Sequence, residues 1–340
     1  MNRKHATRSR GRVIGTAAAS LCLLLAVTAC GTTSENSGKG QGKATAAKCD
    51  GPGGKYVIGM SQANVAEPYR QRMDDDIRAA AAKVPQFEVK FADAAQDNAK
   101  QVSDVENFLT QQVNLLIISP NEATPLTAVV KKAYDKGIPV LVLDRKVDGD
   151  AYTSFIGADN KDIGRQAGRY VAEQLLPNGG NLVELKGLPG STPAQERSDG
   201  FHETLGSKVR TVATGVGDWL REKGQQQLDA ILKANPEIDV VYSHNDPMAE
   251  GAYLAAKAAG RESKIKFIGI DALPIPSGGV KAVEQGRISA TFTYPTGGKE
   301  AIAAAKTLLV DCKHVEKKQT LPTQLITKEN AERVYREANG

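Results

Sequence analysis

The sequence predicts an α/β protein of two doubly wound parallel-sheet lobes. Three observations carry this. Short apolar runs alternate with amphipathic stretches from Lys55 almost to the C-terminus, the pattern of βαβ units in a parallel sheet. The runs are apolar throughout, as in Val140-Leu141-Val142-Leu143, which suits strands covered by helices on both faces. The strands are also too many for one comfortable sheet.

The elements follow in order. Tyr56 to Met60 reads as a buried strand, and about Arg70 to Lys83 as an amphipathic helix. Phe87 to Phe91 is a strand, Asn98 to Gln112 a helix, and Val113 to Ser119 a nearly continuous apolar strand. Ala123 to Lys136 is helical and stops at Gly137, a usual helix terminator. Ile138 to Leu143 is the next strand. The rhythm then restarts with a strand at Ser154 to Gly157 and a helix at Asp162 to Leu176. Further strands fall at Asn181–Leu185, Val209–Val216, Val240–Ser243, Ile265–Ile270 and Ala290–Tyr294. Helices at Glu222–Ala234 and Met248–Ala259 separate some of them, and a last long helix covers Lys299 to Val310.

The chain of 340 residues carries 44 Lys plus Arg, 39 Asp plus Glu and a net charge of +5. A basic balance would suggest nucleic acid or an anionic membrane. Its position argues otherwise. Arg3, Lys4, Arg8, Arg10 and Arg12 hold the whole excess, and from Cys30 onward 39 basic residues face 39 acidic ones. A nucleic-acid-binding domain concentrates basic residues, and no such run follows residue 12. Aromatic residues are 5% of the chain, so the core is expected to be Ala, Val, Ile and Leu.

Residues 1–29 read as a signal peptide: a basic start, an apolar stretch from Val13 to Ala29 and small residues before a Cys. The stretch is marginal for a membrane span, which needs roughly 20 residues. Val27-Thr28-Ala29-Cys30 resembles the bacterial lipobox, which implies cleavage before Cys30 and lipidation of its sulfur. Two acyl chains suffice for stable anchoring. Residues 30–53 are expected to form a flexible tether, since Gly31 to Lys48 cannot bury apolar area. Cys49 and Cys312 then remain. In an oxidising compartment an even pair suggests a disulfide, with two free thiols as the alternative. No CxxC motif or zinc-ligand cluster is present, and neither cofactor nor metal is expected.

Ligands of doubly wound sheets bind beyond the carboxyl ends of strands. Gln62 and Asn64 follow the first strand, and Asp144-Arg145 the fourth. Asp218-Trp219, His244-Asn245-Asp246 and Asp271 follow later strands, and Tyr294 ends its own. Acids, amides, an Arg and aromatics suit a polyhydroxylated ligand. Asp and Asn accept or bridge hydroxyl hydrogens, Arg donates rigid bonds, and an aromatic face covers the C–H side of a sugar ring. The plainer reading of each polar residue is a loop or helix cap.

These residues resemble the pentose- and hexose-binding proteins of bacterial ABC importers, the type I periplasmic binding proteins. The likeness covers about Tyr56 to Thr327. It rests on Ile138 to Arg145, Asp159-Asn160, Val183 to Gly187, Ala194 to Arg197, Gly200-Phe201, Val241 to Ala252 with its Asn-Asp-x-Met-x-x-Gly-Ala signature, and Ile268 to Asp271. The resemblance implies a three-segment hinge near Ala158, Tyr294 and Thr323. It places residues 54–158 with 294–323 in an N-terminal lobe and 159–293 with 324–340 in a C-terminal lobe. It implies that Asp144 and Arg145 bind hydroxyls and the ring oxygen from one lobe, and Arg197, Asn245 and Asp271 from the other. Trp219 and Tyr69 fall at stacking positions, and Tyr294 at the polar hinge position. Where ribose binders carry Asn-Pro-Phe-Phe, this chain has Glu67-Pro68-Tyr69-Arg70. An aromatic followed by Arg is similar to galactofuranose-binding relatives, which share the Ser61-Gln62 start. Arg70 would then read an extra hydroxyl or the carboxylate of a sugar acid. Ile270 replaces a family aromatic. Gln62 and Glu67 complete the expected site. Cys49 and Cys312 should meet at the base of the first lobe, away from the ligand.

The implied function is an extracytoplasmic, lipid-anchored solute-binding protein. It captures a monosaccharide, a pentose or hexose with the furanose form among the options, and delivers it to an ABC permease and ATPase. A monomer is expected, with no nucleic-acid partner. A sensor subunit for a receptor or histidine kinase is the alternative. An enzyme is disfavoured: Gly-x-Ser-x-Gly, Walker A and Gly-x-Gly-x-x-Gly motifs are absent, and His202 and His244 read as a helix-surface and a loop histidine. A lactose-repressor-type regulator would carry a DNA-binding headpiece where this chain has its signal.

Overall fold

The computed structural model describes residues 49–340. The signal peptide at 1–29, the lipidation at Cys30 and the tether as far as residue 48 lie outside the described residues.

The first half winds β1 (Tyr56–Gln62), α1 (Pro68–Ala81), β2 (Phe87–Asp93), α2 (Asn98–Thr110), β3 (Leu115–Ile118), α3 (Ala123–Asp135), β4 (Val140–Leu143) and β5 (Ser154–Ala158). The second half runs through α4 (Asn160–Tyr170), β6 (Gly180–Lys186), α5 (Thr192–Thr204), β7 (Val209–Val216), α6 (Arg221–Ala234), β8 (Val240–Ser243), α7 (Asp246–Ala258), β9 (Lys266–Ile268) and α8 (Gly279–Glu284). The chain finishes with β10 (Thr291–Phe292), α9 (Gly298–Leu309), β11 (Lys318–Leu321), β12 (Leu325–Ile326) and α10 (Ala331–Asn339).

Two parallel sheets result. The first has the order β11-β5-β4-β3-β1-β2 and the second β7-β6-β8-β9. Both begin with the same winding. The chain moves one way from β1 to β2, then returns across β1 to β3, and β6, β7 and β8 repeat this. Each sheet therefore has a switch point, between β1 and β3 and between β6 and β8, where the loops at the carboxyl ends part and leave a crevice.

Two-sided burial explains the continuous apolar strands. Along β3, Leu115 and Ile117 pack in one core with Met73 and Ile77 of α1. Leu116 and Ile118 join Phe108, Val129 and Val130 in the core on the opposite face. Successive side chains point to opposite faces of a strand, so both parities must be apolar. Each such side chain contributes about 1.5–3 kcal/mol by leaving water. In β8, Val240 and Tyr242 face one core and Val241 the other.

Some expectations are corrected. The helix read to Leu176 loses α-helical form after Tyr170 and continues as a π-helical turn, Val171–Leu175. The strand read at Ile265–Ile270 is reduced to β9, and that at Ala290–Tyr294 to β10, which pairs antiparallel with β12 while parallel bridges, Ile268 to Ala290 and Asp271 to Thr293, keep the segment beside the second sheet. The elements α8, β11, β12 and α10 are short or polar. β11 is exposed at three of its four residues, so it carries no apolar signal.

Cys49 and Cys312 are joined by a disulfide. It ties the start of the described chain to the loop after α9. Ordered backbone therefore begins before residue 53: Gly51–Gly53 form a 3₁₀ turn, and the Asp50 N–H donates to the Tyr56 hydroxyl at 3.0 Å. Among the described residues no helix is long and apolar enough to cross a membrane.

Candidate ligand site

The carboxyl ends of the two sheets meet around a tight cavity lined by Glu67, Tyr69, Arg70, Asp144, Arg145, Pro193, Arg197, Trp219, Asn245 and Asp271. Nine of the eleven residues read from the sequence line it.

The first lobe supplies an ion-pair ladder. Arg70, on the first turn of α1, places Nη2 2.7 Å from Asp144 Oδ2, and its Nη1 donates to Ser119 Oγ at 2.6 Å. Arg145 follows Asp144 at the end of β4. Its Nη1 donates to the Asn121 carbonyl at 3.0 Å, while its Nε lies 3.8 Å from Asp144 and its Nη2 4.0 Å from Glu67. Burial alone would raise the Asp144 carboxyl, but Arg70, Arg145 and Arg197 outweigh it and hold the group below the usual carboxylate range. Arg145 is pushed down to about 10 by burial and by Arg70, and so stays charged near neutrality.

The second lobe supplies Arg197 from α5, Trp219 from the loop after β7, Asn245 from the end of β8 and Asp271 from beyond β9. Arg197 donates from Nε to Asn160 Oδ1 at 2.9 Å and from Nη1 to the His244 carbonyl. Its guanidinium stands 5.4 Å from the Trp219 ring centroid, and that of Arg145 reaches the same ring at 5.3 Å. Trp219 lies flush on the backbone of Gly187, where a Cβ would come within 2.2 Å of its ring. Asn245 both lines the cavity and caps α7, its Oδ1 accepting from the Met248 N–H at 3.1 Å and its Nδ2 donating to the Trp219 carbonyl at 3.0 Å. The bland capping role and the lining role coincide in one side chain.

Asp271 differs from the rest. It is buried, and among the described residues no donor reaches its carboxylate. Burial and the neighbouring Asp246 push it well above the ordinary carboxylate range. Arg70 Nε, Arg145 Nε and Trp219 Nε1 are also buried without a partner. Such groups are rare in native interiors, because each costs free energy when desolvated and unpaired. Strain gathers at the same place. Asp144 (φ 66°), Trp219 (φ 72°) and Asp271 (φ 126°) hold backbone angles that favour glycine, costing of order 1–3 kcal/mol each.

Two expected residues are not in the lining. Gln62 lies beneath it, with its amide donating to Asp74 Oδ1 at 2.8 Å and its carbonyl accepting from the Ala63 N–H at 3.1 Å. Its bonding capacity is committed to α1 and its own loop. Tyr294 stands behind the wall: Asn160 Nδ2 donates to its hydroxyl at 3.1 Å, and the hydroxyl donates to the Asp144 carbonyl at 3.4 Å. It supports the strained Asp144 backbone. His244 is likewise no exposed loop residue. It is fully buried, its Nε2 lies 3.0 Å from Glu184 Oε1, and its Nδ1 accepts from the Gly187 N–H at 3.3 Å. Burial lowers its basicity. His202 reaches the other oxygen of Glu184 at 3.0 Å.

Sequence reasoning missed Ser119, Asn121 and Asn160 as partners of the site arginines. Ser119 and Asn121 follow β3, so reading residues beyond every strand end would have found them. Asn160 opens α4 and resembles an ordinary cap-region residue.

Among the described residues no group of His, Cys, Asp or Glu could hold a metal ion. The periplasmic binding protein domain model matches residues 58–311. The ribose import binding protein of Bacillus subtilis (strain 168) is 31% identical over 80% of this chain and 88% of its own. A fructose-binding periplasmic domain of a hybrid two-component system is 41% identical, with a TM-score of 0.81 over 83% of this chain and 94% of that one. A Mycobacterium smegmatis structure in complex with β-D-fucofuranose is 32% identical, with a TM-score of 0.77 over 83% of this chain and 96% of that one. The repeated winding of the two sheets, the cavity between their carboxyl ends and these likenesses agree, and the chain belongs to the type I periplasmic binding proteins, in the group of sugar-binding, ribose- and galactofuranose-binding-like members.

Proposed function

We propose that this protein captures one uncharged monosaccharide, in furanose form, between two closing lobes outside the cytoplasm and passes it to an ABC importer, with lipidated Cys30 as its membrane anchor. The observation that carries the reading is the set of buried N–H groups left without partners around the cavity, Arg70 Nε, Arg145 Nε and Trp219 Nε1, beside the Asp271 carboxyl, which accepts from no donor among the described residues. A sugar offers hydroxyls that donate to a carboxylate and accept from N–H groups, and an apolar ring face for Trp219. Only the closed form lets both lobes contribute, so the differential affinity of the sugar for that form drives closure. We assign residues 54–158 with 294–323 to one lobe and 159–293 with 324–340 to the other.

An uncharged ligand is favoured by how the lining charges are already engaged. Three guanidinium groups line the cavity, those of Arg70, Arg145 and Arg197, among the carboxyl groups of Glu67, Asp144 and Asp271. Arg70, the one candidate reader of a sugar acid, is already committed to Asp144 and Ser119. The furanose form draws support from the fucofuranose-bound relative. We read the protein as a binder and not an enzyme, and as a monomer.

The test is calorimetric titration of the mature protein with D-fructose, D-ribose, D-fucose and D-galacturonate, alongside emission from the single Trp219. Binding of a neutral sugar with a ring-current or emission change, and at least tenfold weaker binding of the uronate, is expected. Absence of heat from every sugar would sink the reading. The hybrid two-component relative favours a second reading, ligand presentation to a sensor. Loss of sugar uptake on deletion of the gene supports import, and loss of induction with uptake intact supports sensing.

A further inference from the structure

The sugar cavity is not the only place where the two lobes touch. A row of contacts runs along one rim of the cleft, outside the cavity lining. The Ala123 N–H, at the start of α3, donates to the Gly190 carbonyl at 3.0 Å. The Lys146 N–H, beyond β4, donates to Thr192 Oγ1 at 2.9 Å, and the Lys146 ammonium pairs with Glu196 of α5. Gln96 Nε2, after β2, donates to the Asp218 carbonyl at 3.3 Å. In each pair one partner follows a strand of the six-stranded sheet and the other belongs to the four-stranded half.

The backbone is shaped for this approach. Gly190 has φ +83°, and a Cβ there would meet Glu122 Oε2 at 2.4 Å. Glu122 is itself held, its Oε1 accepting from Asn98 Nδ2 at 2.7 Å. Gln96 also sits at positive φ, 64°. A side chain at residue 190 would therefore both strain the loop and hold the lips apart. Of the named residues, none lines the sugar cavity.

We propose that Gly190, Thr192, Lys146 and Glu196 form a rim clasp that sets sugar affinity and residence time without touching the sugar. The proposal rests on the capture reading above. The apparent dissociation constant equals the intrinsic one divided by the fraction of protein that can close. The clasp bonds exist only when the rims meet, so they add to the closed state and not to the open one. They act after encounter, so they slow dissociation and leave association unchanged. The clasp residues are positioning residues: they hold Arg145, next to Lys146, against Trp219 and Arg197 across the cleft.

The test compares wild type with Lys146→Ala, Gly190→Val and the exchange Lys146→Glu with Glu196→Lys, titrated with D-fructose, D-ribose and D-fucose separately. A half-exposed ion pair is weak, so Lys146→Ala should raise Kd by about threefold. Gly190→Val loses a backbone bond and the close approach, and should raise it by about tenfold or more. In both, stopped-flow Trp219 emission should show faster dissociation and unchanged association; the melting temperature of the sugar-free protein should be unshifted in Lys146→Ala and lowered in Gly190→Val by the strain at positive φ. The exchange should return dissociation to within about twofold of wild type. Unchanged dissociation in Gly190→Val would overturn the clasp while leaving sugar capture intact. If wild type binds no sugar, the capture reading fails by itself, and a second arm still decides the clasp. Oxidation of a Lys146→Cys, Thr192→Cys variant should cross-link it and reduce its radius of gyration in X-ray scattering. Failure to cross-link, with and without each sugar, would overturn the clasp.

Discussion

Replacing Asp271 by Asn should weaken sugar binding and stabilise the sugar-free protein, two effects of opposite sign from one side chain. The carboxylate is buried, has no donor among the described residues and is pushed well above its ordinary range by burial and by Asp246. A sugar hydroxyl that donates to it makes a charge-assisted bond of about 1.5–3 kcal/mol. Asn keeps the shape and an acceptor but loses the charge, so Kd should rise about 10- to 150-fold. In the sugar-free protein the same change removes a buried carboxyl that no donor meets, which is worth about 1–3 kcal/mol and a rise of several degrees in melting temperature. The pH dependence has a defined sign. A carboxyl raised in the folded state contributes stability that is fully present below its unfolded value of about 4 and is lost as pH rises through the folded value. Sugar-free wild type should therefore lose stability as pH climbs from about 4, and D271N should lose less. A residual slope should persist in D271N, because burial pushes Asp246 up to about 7 with the same sign. Calorimetric titration and thermal melts at pH 4 to 8 measure both effects. A D271N protein that binds as wild type does, or that melts lower while binding less, would refute the reasoning. The second outcome would give Asp271 a structural role.

Glu184 should behave in the opposite way. Its hydrogen bonds from His244 and His202, together with the Lys186 charge, overcome burial and hold its carboxyl down at about 2. Its stabilisation is present above the unfolded value and lost as pH falls toward 2, so E184Q should cost roughly 2–3 kcal/mol at neutral pH and flatten the acid limb of urea unfolding between pH 4.5 and 2. An unchanged acid limb would show that the histidines do not depend on the charge. Removing the disulfide with C49S and C312S should cost about 2–5 kcal/mol in urea unfolding, with sugar affinity within about twofold of wild type, because neither residue lines the cavity.

The sequence made the large parallel sheets legible because two-sided burial leaves a strong trace. Leu115 to Ile118 must be apolar at every position, since the two faces of β3 serve different cores. The short pair β10 and β12 left no such trace. Its two-residue strands are held by antiparallel bonds to each other, Thr291 to Ile326 and Phe292 to Leu325, and two residues cannot show a period. The π-helical turn after Tyr170 is hidden for another reason: the backbone slips while the side chains still read as a helix.

Site residues were legible where their chemistry departs from what a loop needs, and illegible where it does not. An Asp-Arg pair ending an apolar strand has no reason to exist in a core, so Asp144 and Arg145 stand out. Gln62 stands out equally, yet it satisfies Asp74 and its own loop, because sequence cannot say whether a polar group is already partnered. That is the property on which binding turns. Arg197 and Asp271 are both buried and charged, but Arg197 meets Asn160 and the His244 carbonyl whereas Asp271 meets no donor. A fold normally satisfies such groups or excludes them. Here unsatisfied N–H groups of Arg70, Arg145 and Trp219 and strained backbone at Asp144, Trp219 and Asp271 occur together around one cavity, though such groups and angles are found elsewhere in the fold as well. Local inconsistency that gathers around a cavity is what a binding site requires. On the capture reading we propose, a sugar would supply the missing partners, and the free energy withheld from folding would become available to drive closure.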